Sequence, residues 1–275
     1  MDIVHATSSS DFGVLALGLV LAGLVAGLAS GILGIGGGIV VVPVLYHVMA
    51  TLGVDESIRM HVAVGTSLAA MIPAALYRSY NANDFADGPL ARNWCAPMLA
   101  GVIAGSALAA IASSRALAVV FAAAAVPIAA WLALGREKWR LSARMPEGVG
   151  GAAVPAFVGA ASAMTGMGGT TAVPAMTVCG VPLERAVATA SLFGIFIAVP
   201  GTLGAVIAGW HLPALPPHSL GYVNLFGVAL VAPALLAGEP AGAGLAHLID
   251  TKRLNLVVAA LIVITTGRML WDALA

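Results

Sequence analysis

Charge is scarce in this sequence. Lys, Arg, Asp and Glu make up 9% of 275 residues, against roughly 25% in an ordinary soluble domain, and the twelve bases cancel the twelve acids. Such a chain has no basic surface to offer nucleic acid and no segment left over for a soluble domain. Cysteine is nearly missing: Cys95 and Cys179 stand far apart in apolar surroundings and read as buried inert thiols, not a disulfide or metal pair. Aromatic residues are sparse at 6%, and the dominant Gly, Ala, Val and Leu suit closely packed helices rather than a barrel of alternating strands. The opening MDIVHATSSSDF carries no Lys or Arg, so it lacks the positive region of a secretory signal.

What is present is apolar length. The chain is 60% hydrophobic with a mean hydropathy of +1.01, and about twenty apolar residues cross a bilayer core as a helix. The expected fold is an all-α polytopic bundle in a lipid bilayer, with spans at 12–34, 37–52, 61–78, 94–113, 116–135, 148–164, 167–180, 186–209, 220–248 and 253–273. The second and seventh are short, so either ten segments cross or eight cross and two are re-entrant. Cytoplasmic loops are enriched in Lys and Arg. Ten spans with an external N-terminus put nine bases inside and three outside; eight spans leave seven against five. The ten-span reading is preferred, with the basic loop 136–147 cytoplasmic.

That loop separates two similar halves, 1–135 and 148–275. Pro43 matches Pro174, Gly37 and Gly38 match Gly168 and Gly169, AVGTS at 63–67 matches AVATA at 186–190, and Gly101 and Gly105 match Gly238 and Gly242. An odd number of crossings per half makes the copies oppositely oriented. Inverted repeats are a common transporter architecture, with the substrate near the midplane.

Two glycine runs carry the strongest functional signal: GILGIGGGIVVVP at 31–43 and TGMGGTTAVP at 165–174. Non-helical backbone at membrane depth must be buried in protein or line a cavity. A helix beginning after such a break offers free N–H groups and a positive dipole end to an anion. The candidate binding residues are Gly36, Gly37, Gly38, Thr165, Gly166, Gly168, Gly169 and Thr170, with Thr66, Ser67, Thr189 and Ser191 as second-choice hydroxyl ligands. The alternative role for the glycines is helix packing. No Asp or Glu is found near a span centre to carry a proton or sodium ion, and no central Lys or Arg holds an anion too tightly. His61 is a candidate proton site and Arg185 a candidate pore-mouth residue. His47 carries similar weight to His61, and His211, His218 and His247 fall near membrane surfaces. No zinc helix of the HExxH type and no GxSxG elbow is found, so an enzyme is not expected and no cofactor or metal site is assigned. An intramembrane hydrolase, a metal carrier using Met164, Met167, Met176 and Cys179, and an assembly subunit remain as rival readings.

GILGIGGGIVVVPVL followed by AVGTSL, then TGMGGTTAVPAM followed by GVPLERAVATASLFG, resembles the TauE/SafE family, also called toluene sulfonate uptake permeases, over essentially the whole chain. The resemblance implies an inner-membrane permease for a small sulfur-containing anion (sulfite, sulfoacetate, another sulfonate or a related carboxylate) working by secondary transport. Proton coupling is the expected driver, and a homodimer is compatible with the pattern. The family's first glycine motif maps to Gly34, Gly36, Gly37, Gly38 and Pro43, the second to Gly166, Gly168, Gly169 and Pro174. In that register Thr165 replaces Gly34 and Met167 replaces Gly36, so the two half-sites are expected to differ.

Overall fold

The computed structural model describes residues 9–34, 36–82, 86–135, 149–212, 214–246 and 251–274. The basic loop 136–147 and His247 lie outside the described residues. Ten α-helices form among those described: α1 (Ser9–Leu33), α2 (Gly38–Thr51), α3 (Glu56–Tyr80), α4 (Gly88–Ile111), α5 (Ser114–Leu134), α6 (Val149–Thr165), α7 (Ala172–Val178), α8 (Leu183–Gly209), α9 (Leu225–Leu245) and α10 (Thr251–Leu274). A 3₁₀ turn, Gly168–Thr171, precedes α7, and two-residue strands β1 (Ser219–Leu220) and β2 (Val223–Asn224) form a small hairpin before α9. Seven of the helices are long and apolar enough to cross a membrane, so the chain is an all-α, multi-pass membrane protein.

Helix starts follow local chemistry. Asp55, Asp87, Ser113 and Asn224 each accept a hydrogen bond from a first-turn N–H of the helix that follows, satisfying donors that the helix itself leaves open. Interior prolines such as Pro73, Pro97 and Pro200 are tolerated because neighbouring helices cover the freed groups.

Glycine contacts give the helix directions. Gly23 meets Val231 and Ala234 while Gly31 meets Glu239 and Ala243, so α1 and α9 run parallel. Gly101 meets Ala156 and Gly105 meets Ala160, so α4 and α6 run parallel. Thr66 lies at Gly227 and Arg78 at Glu239, aligning α3 with α9. Trp94 stacks on Phe193 and Ser106 meets Gly204, aligning α4 with α8. By contrast Gly65 meets Ala205 and Gly194 meets Ala75, so α3 and α8 are antiparallel. Offsetting the chain by five helices therefore carries each of these contacts onto a counterpart of opposite direction.

Because α1 and α3 point the same way, the chain must return between them, and α2 makes the return; α7 does so between α6 and α8. This agrees in direction with ten segments, since two re-entrant loops would leave α1 and α3 opposed. Yet α2 has 14 residues and α7 only 7, spanning about 21 and 10 Å against a core of about 30 Å. Both breaks consequently lie inside the bundle, away from its ends.

The matched pairs Gly101/Gly105 and Gly238/Gly242 serve packing: each pair seats the backbone of α6 or α1. A side chain at Gly101 would collide with the Ala156 carbonyl. We expect Gly101→Leu to cost about 1–3 kcal/mol or more by overpacking, seen as a lowered thermal midpoint in detergent alongside any loss of activity.

Candidate functional site

α1 ends at Leu33, and Gly34 closes it by donating to the Ser30 carbonyl at 2.8 Å; α6 ends at Thr165, and Gly166 donates to the Ser162 carbonyl at 3.0 Å. Gly34 and Gly36 have φ of 67° and 81°, Gly166 and Gly168 have 69° and 58°. A side chain in this left-handed region costs roughly 1–2 kcal/mol, which explains glycine at these four positions. The equivalences are thus Gly34 with Gly166 and Gly36 with Gly168, one residue away from the register set by the prolines. Thr165 corresponds to Leu33 and Met167 lies between the paired glycines. The departure expected from the family pattern was an artefact of aligning Pro43 with Pro174.

The hydroxyls are largely committed elsewhere. Thr66 Oγ1 accepts the Asn224 N–H at 2.9 Å, and its counterpart Thr189 accepts the Asp87 N–H at 3.0 Å. Each threonine therefore fastens the start of the other half's fourth helix. Gly65 lets the hairpin approach at Tyr222, and Ser67 donates to the Gly166 carbonyl at 3.0 Å. Thr165, Thr170 and Ser191 donate to nearby carbonyls of Ala161, Met167 and Val187.

The two breaks touch. A methyl on Gly36 would stand 3.0 Å from Thr170 Oγ1, and one on Gly38 would strike the Gly166 carbonyl. Met71 of α3 fills the space between them: methyls on Gly168 and Gly38 would lie 2.7 Å from its Cε and 2.9 Å from its Sδ. Neither Gly37, ahead of α2, nor Met167, ahead of the 3₁₀ turn, supplies a side-chain cap. Only α2 continues long enough to carry a sizeable helix dipole, so the two breaks are not equivalent as anion sites.

Beside the breaks Gly34, Gly36, Gly169, Ala190 and Ser191 line one small pocket with Arg78. Its free volume is about 10 Å³, room for roughly one water. The Arg78 side chain is 15% exposed and pairs with Glu239, 2% exposed. Ser30 Oγ donates to Glu239 Oε1 at 2.8 Å, and Arg78 also reaches Ser30 Oγ at 3.2 Å. Glu239 Oε2 is buried with no hydrogen-bond partner among the described residues.

These three residues add to the sequence reading. It finds no Asp or Glu near a span centre and no central Lys or Arg, and Arg78 does stand in the last turn of α3; what it misses is the pairing. Glu239 lies within α9, in LLAGEPAGAG. The available signal was a lone acid inside an apolar run, which at membrane depth demands a paired cation.

His61 sits at the other end of α3, 17 residues or roughly 25 Å away. Its Nε2 lies 3.1 Å from the carbonyls of Ala109 and Ala112, and its ring stacks on Tyr222 with centroids 4.8 Å apart. A second cavity of about 20 Å³ lies there, lined by His61, Leu68, Ser106, Gly201 and Tyr222 among others. Arg185 is exposed and lies 3.6 Å from Asp87 Oδ2, about one turn before Thr189 on α8. The small pockets thus occupy opposite sides of the Leu68–Met71 stretch.

The family model for the sulfite exporter TauE/SafE matches residues 19–269. The chain belongs to the TauE/SafE family. Two curated relatives of this TauE/SafE chain carry general names. A probable membrane transporter protein of Haemophilus influenzae is 28% identical over 209 residues, covering 74% of this chain and 79% of the relative. The probable membrane transporter protein YunE of Bacillus subtilis is 26% identical over 284 aligned positions, covering 93% and 97%. No solved structure matches. The glycine breaks of both halves and the Arg78–Glu239 pair all fall inside the matched span.

Proposed function

We propose that this TauE/SafE protein is a secondary permease for a small sulfur-containing anion, a sulfonate or sulfite, working across the inner membrane by alternating access. The observation that carries the reading is the meeting of both glycine breaks at one pocket with the partly buried Arg78 guanidinium. Arg78 presents a planar fork suited to two oxygens of a sulfonate or carboxylate, and the uncapped start of α2 adds partial positive charge. Halves 1–135 and 148–275, joined by a cytoplasmic 136–147 loop with the N-terminus outside, would rock against one another, each movement opening one of the two small pockets. Proton motive force is the driver in this reading, and a homodimer is its simplest assembly. Arg185, on the Arg78 side of α8, serves as an entry residue. Met71 and Leu68 form the barrier between the two sides.

Purified protein in liposomes should exchange radiolabelled methanesulfonate, sulfoacetate or sulfite above protein-free vesicles. Acetate and succinate in the same panel decide between sulfur oxyanions and carboxylates. Failure to move every member by folded protein would sink the permease reading.

A further inference from the structure

We infer that Glu239 is the proton-accepting residue of transport, and that Arg78 links its protonation to anion binding. This rests on the permease reading above and names its coupling group. Glu239 is held in α9 with Ser30 facing it from α1 and Arg78 from α3. Arg78 is the charge that acts on it among the described residues. On the far side of Arg78, α8 presents Ala190, Ser191 and Gly194, none of them ionisable. Glu239 Oε1 is used twice while the buried Oε2 has no partner among the described residues, so one carboxylate oxygen can take a proton without breaking any contact described.

Arg78 has two claimants, Glu239 behind it and the pocket before it. Resting protein holds Arg78⁺ and Glu239⁻, net zero. An entering monoanion draws the guanidinium toward the pocket and leaves the carboxylate uncompensated in a medium that penalises lone charge. A proton taken from water onto Oε2 removes that penalty. The loaded state then holds Arg78⁺, the anion and neutral Glu239, again net zero. One proton moves with one monoanion, and both the loaded and empty forms reorient without carrying net charge. The corresponding positions of the other half are apolar: under the offsets set by Gly101/Gly238 and Thr66/Thr189, Glu239 falls on Val102 and Arg78 on Gly201. Among the described residues the device therefore has no counterpart in the other half.

Methanesulfonate is the diagnostic probe, because it stays a monoanion throughout the useful pH range. In proteoliposomes, an inward proton gradient should drive its accumulation, while a membrane potential alone should not. Glu239→Gln copies the protonated state: labelled exchange at equal pH should persist, whereas accumulation under a pH gradient should fall at least tenfold, because empty Glu239→Gln protein carries an unpaired Arg78. Ser30→Ala, which removes the hydroxyl that donates to the carboxylate and accepts from Arg78 but leaves both charges in place, should shift the pH midpoint of coupled uptake upward while exchange stays within twofold.

If wild-type protein moves no anion of the panel, the permease reading falls. If it exchanges methanesulfonate but ignores a pH gradient, the coupling inference alone falls. Gradient-driven accumulation surviving in Glu239→Gln, or exchange lost from folded Glu239→Gln protein, overturns the assignment. Should Glu239→Gln fail to fold, an unmoved pH midpoint in Ser30→Ala overturns it instead.

Discussion

Replacing Arg78 with Gln should abolish anion transport and destabilise the protein by about 3–5 kcal/mol, the usual consequence of removing one member of a buried ion pair. The stability loss comes from Glu239, 2% exposed, which without Arg78 must either stay charged beside Ser30 or take up a proton at a cost in free energy at neutral pH. A second substitution separates the two effects. Arg78→Gln with Glu239→Gln removes both charges, and replacing a whole buried pair is often neutral for stability. The double variant should regain most of the lost thermal midpoint and still fail to transport, because the guanidinium that meets the anion is gone. Thermal unfolding in detergent and anion exchange on the same preparations check this. Recovery of transport in the double variant would reduce the pair to a structural clamp.

Much of the architecture was legible because the bilayer constrains sequence so strongly. Residues 61–78, 94–113 and 116–135 fall inside α3, α4 and α5, apart from one or two terminal positions of the last two. The ordered glycine and small-residue matches pair positions such as Thr66 and Thr189 that make equivalent contacts. What was hidden is instructive. The hydroxyls of Thr66 and Thr189 looked like ligand donors because they recur in both halves, but recurrence tracks an equivalent packing task, the fastening of Asn224 and Asp87. The register of the second break could not be read from identity alone, since a proline aligned more visibly than the left-handed φ that requires glycine. Arg78 and Glu239 stand 161 positions apart; Glu239 is marked as a lone acid in an apolar run, but only the parallel packing of α3 and α9 names Arg78 as its partner. Met71 was invisible for the opposite reason, because an apolar residue in an apolar helix carries no mark until both breaks are seen to press on it.

The largest effect without a stability cost is expected at Gly169. Its backbone, unlike that of Gly34, Gly36, Gly166 and Gly168, is not in the left-handed region, and an added methyl would meet nothing closer than the Ala190 carbonyl at 3.4 Å, an ordinary van der Waals contact. Gly169→Ala should therefore fold with its stability changed by less than about 1 kcal/mol. The methyl nevertheless enters the pocket wall shared with Arg78, where the free volume is only about 10 Å³. Exchange of the transported anion should drop about tenfold or more, a loss of roughly 1.4 kcal/mol in binding or barrier. Gly36→Ala is the contrasting case: its φ of 81° and the 3.0 Å approach to Thr170 Oγ1 make it lose stability along with transport. If Gly169→Ala leaves exchange unchanged while remaining folded, the pocket is a packing defect and the anion passes elsewhere. If exchange falls while the thermal midpoint holds, the second break is a wall of the permeation site, and its glycine is there to leave space for a ligand.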